Sequence, residues 1–221
     1  MDRAVRFALA LAAPLLLASC LLSPGRFAAT LDIGRDRAFT FTYVGEAVVS
    51  QPSPGFNVEG ADDDADPDED AAVAPAEISE ADRRRIVEGL AQEEGYRSVE
   101  YVGNNTFRID YSISGRLDRG FVFPINLDAA AVIPWLMVEV RRDGTARVTG
   151  VAFGDSESGS GQLGDANPNR QREGSFTLAT DAELVMHNNE RGATPGERTT
   201  VAWQITPTTR SAPTAVVRFA E

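Results

Sequence analysis

The side chains best suited to catalysis or metal binding are few in this 221-residue chain: one histidine, one cysteine and scattered carboxylates. His187 closes an alternating apolar stretch and precedes Asn188-Asn189. A nucleophilic triad could use an imidazole there, but no strand-turn-helix elbow presents a serine to it, so it reads as a strand-end histidine. The acid pairs Glu93/Glu94 and Glu77/Glu80 fall on or beside a charged helix face, where water solvates both members and no acid–base couple is set up. Asp64, Asp66 and Asp68 alternate as oxygen ligands do in calcium loops, yet Glu69 stands where such a loop turns on glycine and Pro75 where it needs a bidentate glutamate. Gly159, Gly161 and Gly164 have the spacing of a dinucleotide fingerprint, but Asp165-Ala166-Asn167-Pro168-Asn169 is turn chemistry and no helix opens there to receive a pyrophosphate. The expectation is a non-enzymatic protein with no cofactor and no metal.

The cysteine has a different use. Arg3 and Arg6 precede an apolar run from Phe7 to Leu17, which is the layout of a secretory signal peptide. The run is too short and too interrupted, by Pro14 and Ser19, for a membrane span of about 20 apolar residues. It ends in Leu17-Ala18-Ser19-Cys20, which resembles the lipobox of bacterial lipoproteins. That resemblance implies cleavage before Cys20, a diacylglyceryl group on its sulfur and a domain held to the membrane. Two or more acyl chains give durable anchoring at about 0.8 kcal/mol per buried methylene. Removal of residues 1–19 takes away Arg3, Arg6 and Asp2 and moves the formal charge from −12 to −13. An anionic surface repels such a chain, so the anchor works by acyl insertion and not through a basic patch. The same acidity excludes a nucleic-acid binder, which needs clustered cations. With one cysteine there is no disulfide framework, and the fold must stand on its core.

The elements that would follow the anchor are mostly strands. Phe39, Phe41 and Tyr43 alternate with Thr40 and Thr42, as on a half-buried strand running towards Val49. Residues 51–76 hold Asp62, Asp63, Asp64, Asp66, Asp68, Glu69 and Asp70 among prolines and alanines, a composition that buries little and reads as a mobile loop. Ser79 with Asp82 resembles a capping box, after which Ile86, Val87 and Leu90 give one narrow apolar helical face, and Gly95 stops it. Period two returns from Tyr96, and Gly103-Asn104-Asn105 reads as a hairpin turn into Phe107, Ile109, Tyr111 and Ile113. Further strands are expected at Phe121 to Ile125, Trp135 to Arg141, Ala146 to Phe153, Ser175 to Thr180, Leu184 to His187, around Trp203 and around Val217, with a second helix near Leu127 to Val132. Residues 154–174, rich in Gly, Ser and Asp, form a second long loop. The fold class is α+β: a mostly antiparallel β-sheet with one or two short helices packed on it, a single domain over 20–221 after a signal peptide over 1–19.

Two tryptophans remain. Trp203 alternates with Val201 and Ile205 and belongs in the core. Trp135, inside Ile133-Pro134-Trp135-Leu136-Met137, is less constrained, so Trp135 and Met137 are the candidate ligand or partner surface. The order of lipobox, aromatic first strand, capped helix, hairpin and the closing Thr200-Val201-Ala202-Trp203-Gln204-Ile205 resembles the LppM-type bacterial lipoprotein domain. This resemblance implies a domain facing the periplasm or exterior of a bacterial envelope, with lipid or glycolipid binding. The acidic insertion departs from that pattern, and no ligand-contacting residue carries over. Three functions stand beside one another: a module that binds an envelope lipid or other component, a structural partner docking on an envelope protein, and a hydrolase with an unrecognised site.

Overall fold

A computed structural model of the chain describes residues 21–50, 77–124, 134–154 and 171–220. Its strands are β1 (Leu21–Ile33), β2 (Ala38–Ser50), β3 (Tyr96–Gly103), β4 (Thr106–Arg116), β5 (Phe121–Phe123), β6 (Leu136–Val140), β7 (Thr145–Thr149), β8 (Glu173–Thr180), β9 (Glu183–His187), β10 (Thr199–Ile205) and β11 (Thr214–Arg218), with one described helix, α1 (Glu80–Gln92), between β2 and β3. A six-stranded sheet runs in the order β10-β8-β1-β2-β4-β3, and a five-stranded sheet in the order β5-β6-β7-β11-β9. Every neighbouring pair is antiparallel except β1 with β8. The α+β class expected from the periodicity is the class observed.

Alternation explains the core. Phe27, Ala29, Leu31 and Ile33 of β1, Phe41 and Tyr43 of β2 and Phe107, Ile109 and Tyr111 of β4 all point inwards from the larger sheet. Rings of the two layers meet directly: Tyr111 and Phe123 lie 4.6 Å apart, Phe41 and Phe123 5.0 Å, and Tyr43 and Trp135 5.2 Å. Each such pair adds about 0.5–1.5 kcal/mol to the area it buries. β1 was not expected as a strand, although its odd positions alternate cleanly. Its Pro24-Gly25 falls within a register shift between Pro24 and Phe27. Opposite that bulge sits Gly45, where a Cβ would lie 2.5 Å from both the Arg26 carbonyl oxygen and the Phe27 Cβ. The Arg26 amide left over by the bulge donates to Glu46 Oε2 at 3.2 Å.

The local signals behave as their chemistry requires. Ser79 Oγ accepts from the Asp82 amide at 3.1 Å and donates to Asp82 Oδ2 at 2.6 Å, which opens α1. Asn104 and Asn105 take positive φ of 50° and 55°, the twist a tight hairpin between β3 and β4 needs. Asp143 Oδ1 accepts from both the amide and the hydroxyl of Thr145 in the β6–β7 turn. Residues 146–153 divide into β7 and a single 3-10 turn over Val151–Phe153. The expected second helix, the acidic loop over 51–76 and most of the loop over 154–174 lie outside the described residues.

Candidate functional site

At the far end of β1, the hairpin to β2 and the turn after β8 enclose an open cleft of about 510 Å³. Its polar lining is Asp32, Arg35, Asp36, Thr40, Asp181 and Arg198. The hairpin is shaped by its own bonds: Gly34 donates to the Ala38 carbonyl at 2.7 Å, and Asp36 Oδ1 accepts from the Ala38 amide at 3.1 Å. The chain leaves β8 through Thr180, whose buried hydroxyl donates to the Ile33 carbonyl at 2.8 Å and accepts from the Ala182 amide at 3.0 Å. That clasp sets Asp181 beside the β1–β2 hairpin. Its carboxylate takes the Arg35 amide at 2.7 Å and Arg35 Nε at 3.2 Å, while Arg198 Nη1 lies 3.6 Å away. The same Nη1 lies 2.9 Å from Asp32 Oδ1 and donates to the Ile33 carbonyl at 3.3 Å. The Arg35 amide first, then its guanidinium and that of Arg198, hold the Asp181 carboxyl below the usual carboxylate range. The cleft gathers three aspartates and two arginines, a lining suited to polar groups.

The outer face of the smaller sheet offers a second surface. Met137 of β6 is half-buried and faces outwards between Val122 of β5 and Thr149 of β7. Across the sheet, Met186 of β9 is 48% exposed beside Val216 of β11, and Val185 is 42% exposed. Besides Met1, Met137 and Met186 are the only methionines of the sequence. Flexible thioether side chains on a sheet face suit contact with a partner's surface.

The sequence-derived candidates separate in the structure. Trp135 is a core residue, 1% exposed, with Nε1 donating to the Leu22 carbonyl at 3.1 Å. It does not share the outer face with Met137: Trp135 precedes β6, outside the strand's alternation, and its ring packs inwards on Tyr43 and Phe123, whereas Met137 lies between the buried Leu136 and Val138 and faces out. Trp203 is also buried, its Nε1 donating to Asn188 Oδ1 at 3.0 Å. His187 Nδ1 accepts from the Asn189 amide at 3.2 Å at the end of β9, as a strand-end histidine would. Leu17, Ala18, Ser19 and Cys20 lie outside the described residues, as do Asp64, Asp66, Asp68 and the glycines at 159, 161 and 164. The cleft was not foreseen. Its parts come from three stretches of chain, and only Gly34-Arg35-Asp36-Arg37 between two apolar alternations marks any of it as a turn.

Among the described residues no helix is long and apolar enough to cross a membrane, and no cluster of three or more His, Cys, Asp or Glu residues has a metal-binding arrangement. No protein-family model matches the chain. No curated protein matches it either. Among solved structures it is similar to the NMR structure of the folded domain of LppM from Mycobacterium tuberculosis, with 17% identity and a TM-score of 0.35 over 90% of this chain and 92% of that one. The likeness to an LppM domain is weak in structure as in sequence. The protein is thus an α+β protein of two mostly antiparallel sheets, a class defined by its own strand pairing.

Proposed function

We propose that this chain is a non-enzymatic lipoprotein module of a bacterial cell envelope, anchored through a diacylglyceryl group on Cys20, whose domain binds an envelope component. The observation that carries this reading is the join between signal and fold. Leu17-Ala18-Ser19-Cys20 ends at the residue before β1, whose pairing begins with Leu21 opposite Ser50. Cleavage before Cys20 leaves the whole of β1, and so the centre of the larger sheet, intact. The domain faces the periplasm or the exterior.

A specific observation favours a protein partner over a buried lipid. A lipid guest needs an apolar cavity of roughly 300–1,000 Å³. The space between the sheets is occupied by packed rings such as Phe41, Tyr43, Tyr111, Phe123 and Trp135, and the cleft outside it is polar. The exposed Met186 and Val185 on the edge strand β9 supply the flat patch and free edge that a docking module uses.

The test is alkaline carbonate extraction of the full chain made in a bacterial host, with mass spectrometry of the membrane fraction. A chain beginning at Cys20 and carrying diacylglyceryl is expected in the pellet, and the Cys20→Ser chain in the supernatant. A processed Cys20→Ser chain that still sediments refutes the proposal.

A further inference from the structure

We infer that the protein meets the anchoring bilayer through one end of its larger sheet, the end formed by Leu22, Val49 and the β3–β4 turn, and presents the Asp32–Asp181–Arg198 cleft on the opposite side. The inference rests on the lipid anchor proposed above and adds what the fold does with it. Cys20 is joined by a single peptide bond to Leu21, the first residue of β1, which is already paired with Ser50. There is no linker. A point fixed to the membrane within one residue of a central strand cannot let the domain float clear of the headgroups, as a chain of many flexible residues would.

Strand direction then decides which parts are near. β1 leaves the anchor, β2 returns to it, and β4 leaves again: Leu22 lies opposite Val49, and Ser23 opposite Val48, which in turn pairs with Thr106. The Val49 amide donates to the Asn105 carbonyl at 2.9 Å, so the Asn104–Asn105 turn sits level with the start of β1. Beside that turn Val102 is 39% exposed. The Ile78 amide donates to Asn105 Oδ1 at 2.8 Å, which brings the start of α1 to the same end. At this end Val102 and Asn104 are exposed and Leu22 partly so, while Val49 and Asn105 are buried behind them, so the surface offered to the bilayer is a small apolar and amide patch of a kind that suits an interface between headgroups and water.

At the other end of β1, Ile33 and Asp32 pair with Phe39 and Thr40 and form part of the cleft. Twelve strand steps of about 3.3 Å place that cleft roughly 40 Å from the anchor, several times the ionic screening length of about 8 Å. Its occupant therefore comes from outside the anchoring leaflet.

Once Cys20 is acylated the chain holds no free thiol, since it is the only cysteine, so one introduced cysteine takes a dye uniquely. The experiment compares Val102→Cys with Arg119→Cys, the latter exposed beyond β4 at the cleft end, both in the lipidated full-length protein. Each is labelled with bimane and reconstituted in phosphatidylcholine vesicles carrying nitroxide-headgroup lipids. Position 102 is expected to lose most of its fluorescence and position 119 to keep nearly all. Inserting twelve Gly and Ser residues between Cys20 and Leu21 is expected to restore emission at position 102 while the protein stays on the vesicles. Equal quenching at both positions means that the sheet lies flat and overturns the inference, and so does the absence of quenching at both. Mass spectrometry of the same sample separates the two levels: a lipidated protein with the wrong quenching refutes the orientation alone, and a protein without the thioether refutes the anchor first.

Discussion

Arg172 offers the sharpest test of how the two sheets are joined. It is 0% exposed, and it stands one residue before β8. Its Nη2 donates to the Thr209 carbonyl at 2.6 Å, Nη1 to the Gly154 carbonyl at 2.8 Å and Nε to the Thr206 carbonyl at 3.3 Å. Gly154 follows the 3-10 turn after β7 of the smaller sheet, and Thr206 and Thr209 belong to the connection from β10 to β11. One planar fork therefore ties three chain segments that cross between the layers. A hydrogen bond from a charged donor contributes about 1.5–3 kcal/mol, so the two short bonds are together worth roughly 3–6 kcal/mol, less the relief of no longer burying a guanidinium. Arg172→Met should then cost about 3 kcal/mol, a fall of roughly 6–12 °C in melting temperature for a chain of this length. Arg172→Lys should recover little, because an ammonium is a point charge and cannot reach three carbonyls set around a fork. Urea unfolding of the Cys20→Ser chain measures this, followed by the fluorescence of Trp135 and Trp203, both buried. A loss under about 1 kcal/mol for Arg172→Met, with an unchanged denaturant slope, refutes the clasp.

The placement of Trp135 can be checked in the same assay. Trp135→Phe removes the bond to the Leu22 carbonyl and leaves part of an indole's volume empty beside Tyr43 and Phe123, and it should cost about 1–3 kcal/mol; a neutral result in urea would return this residue to the surface. Alkaline pH should unfold the protein through its tyrosines. Burial, and beside it the Glu94 and Glu93 carboxylates, pushes the Tyr111 phenol up to about 12, while burial raises Tyr96 and Tyr43 further. The folded state keeps these protons where the unfolded chain, with ordinary values near 10, has lost them. Stability is thus fully present below pH 10 and falls as pH rises towards 12. Tyrosinate absorbance from Tyr43, Tyr96 and Tyr111 should appear together with loss of the near-ultraviolet circular dichroism, and titration of these three at pH 10 in a folded protein would contradict their burial.

Much of the fold is legible because its inward faces are aromatic and its turns carry the residues that turns require. Phe39, Phe41 and Tyr43, or Phe107, Ile109 and Tyr111, announce their strands by alternation alone, and Ser79 announces α1 by the amide it accepts. β1 escaped for a physical reason. Its first residues follow closely on the apolar run from Phe7 to Leu17, and its bulge carries Pro24-Gly25, which elsewhere ends a strand. Yet Phe27, Ala29, Leu31 and Ile33 alternate as clearly as β2 does. The division into two sheets is not a local property. Nothing near Thr180 in sequence states that the chain passes from one layer to the other there; the bond from its hydroxyl to Ile33, 147 residues away, does so. The cleft shares that character, since Asp181 meets Arg35 across 146 residues. The reading of Cys20 is the opposite case, since it rests on four consecutive side chains that lie outside the described residues.

The acidic segment and the proposed anchor join the fold at the same end of the larger sheet. The segment with most of the chain's clustered aspartates is joined at Ser50, opposite Leu21, and at Glu77, next to the residue that bonds the Asn105 side chain. Both of its attachment points are therefore at the end of the larger sheet that adjoins Cys20, the proposed anchor, although a charge of −13 over residues 20–221 would by itself drive that part of the chain away from anionic lipids. The acyl anchor proposed on Cys20 would outweigh this, because repulsion of about 1 kcal/mol per charge near a membrane surface, screened within a Debye length, is small beside the insertion of two or more chains. What the repulsion can still decide is how closely the strand ends approach the headgroups. Raising the fraction of anionic lipid at low salt should therefore weaken contact at Val102 without releasing the protein.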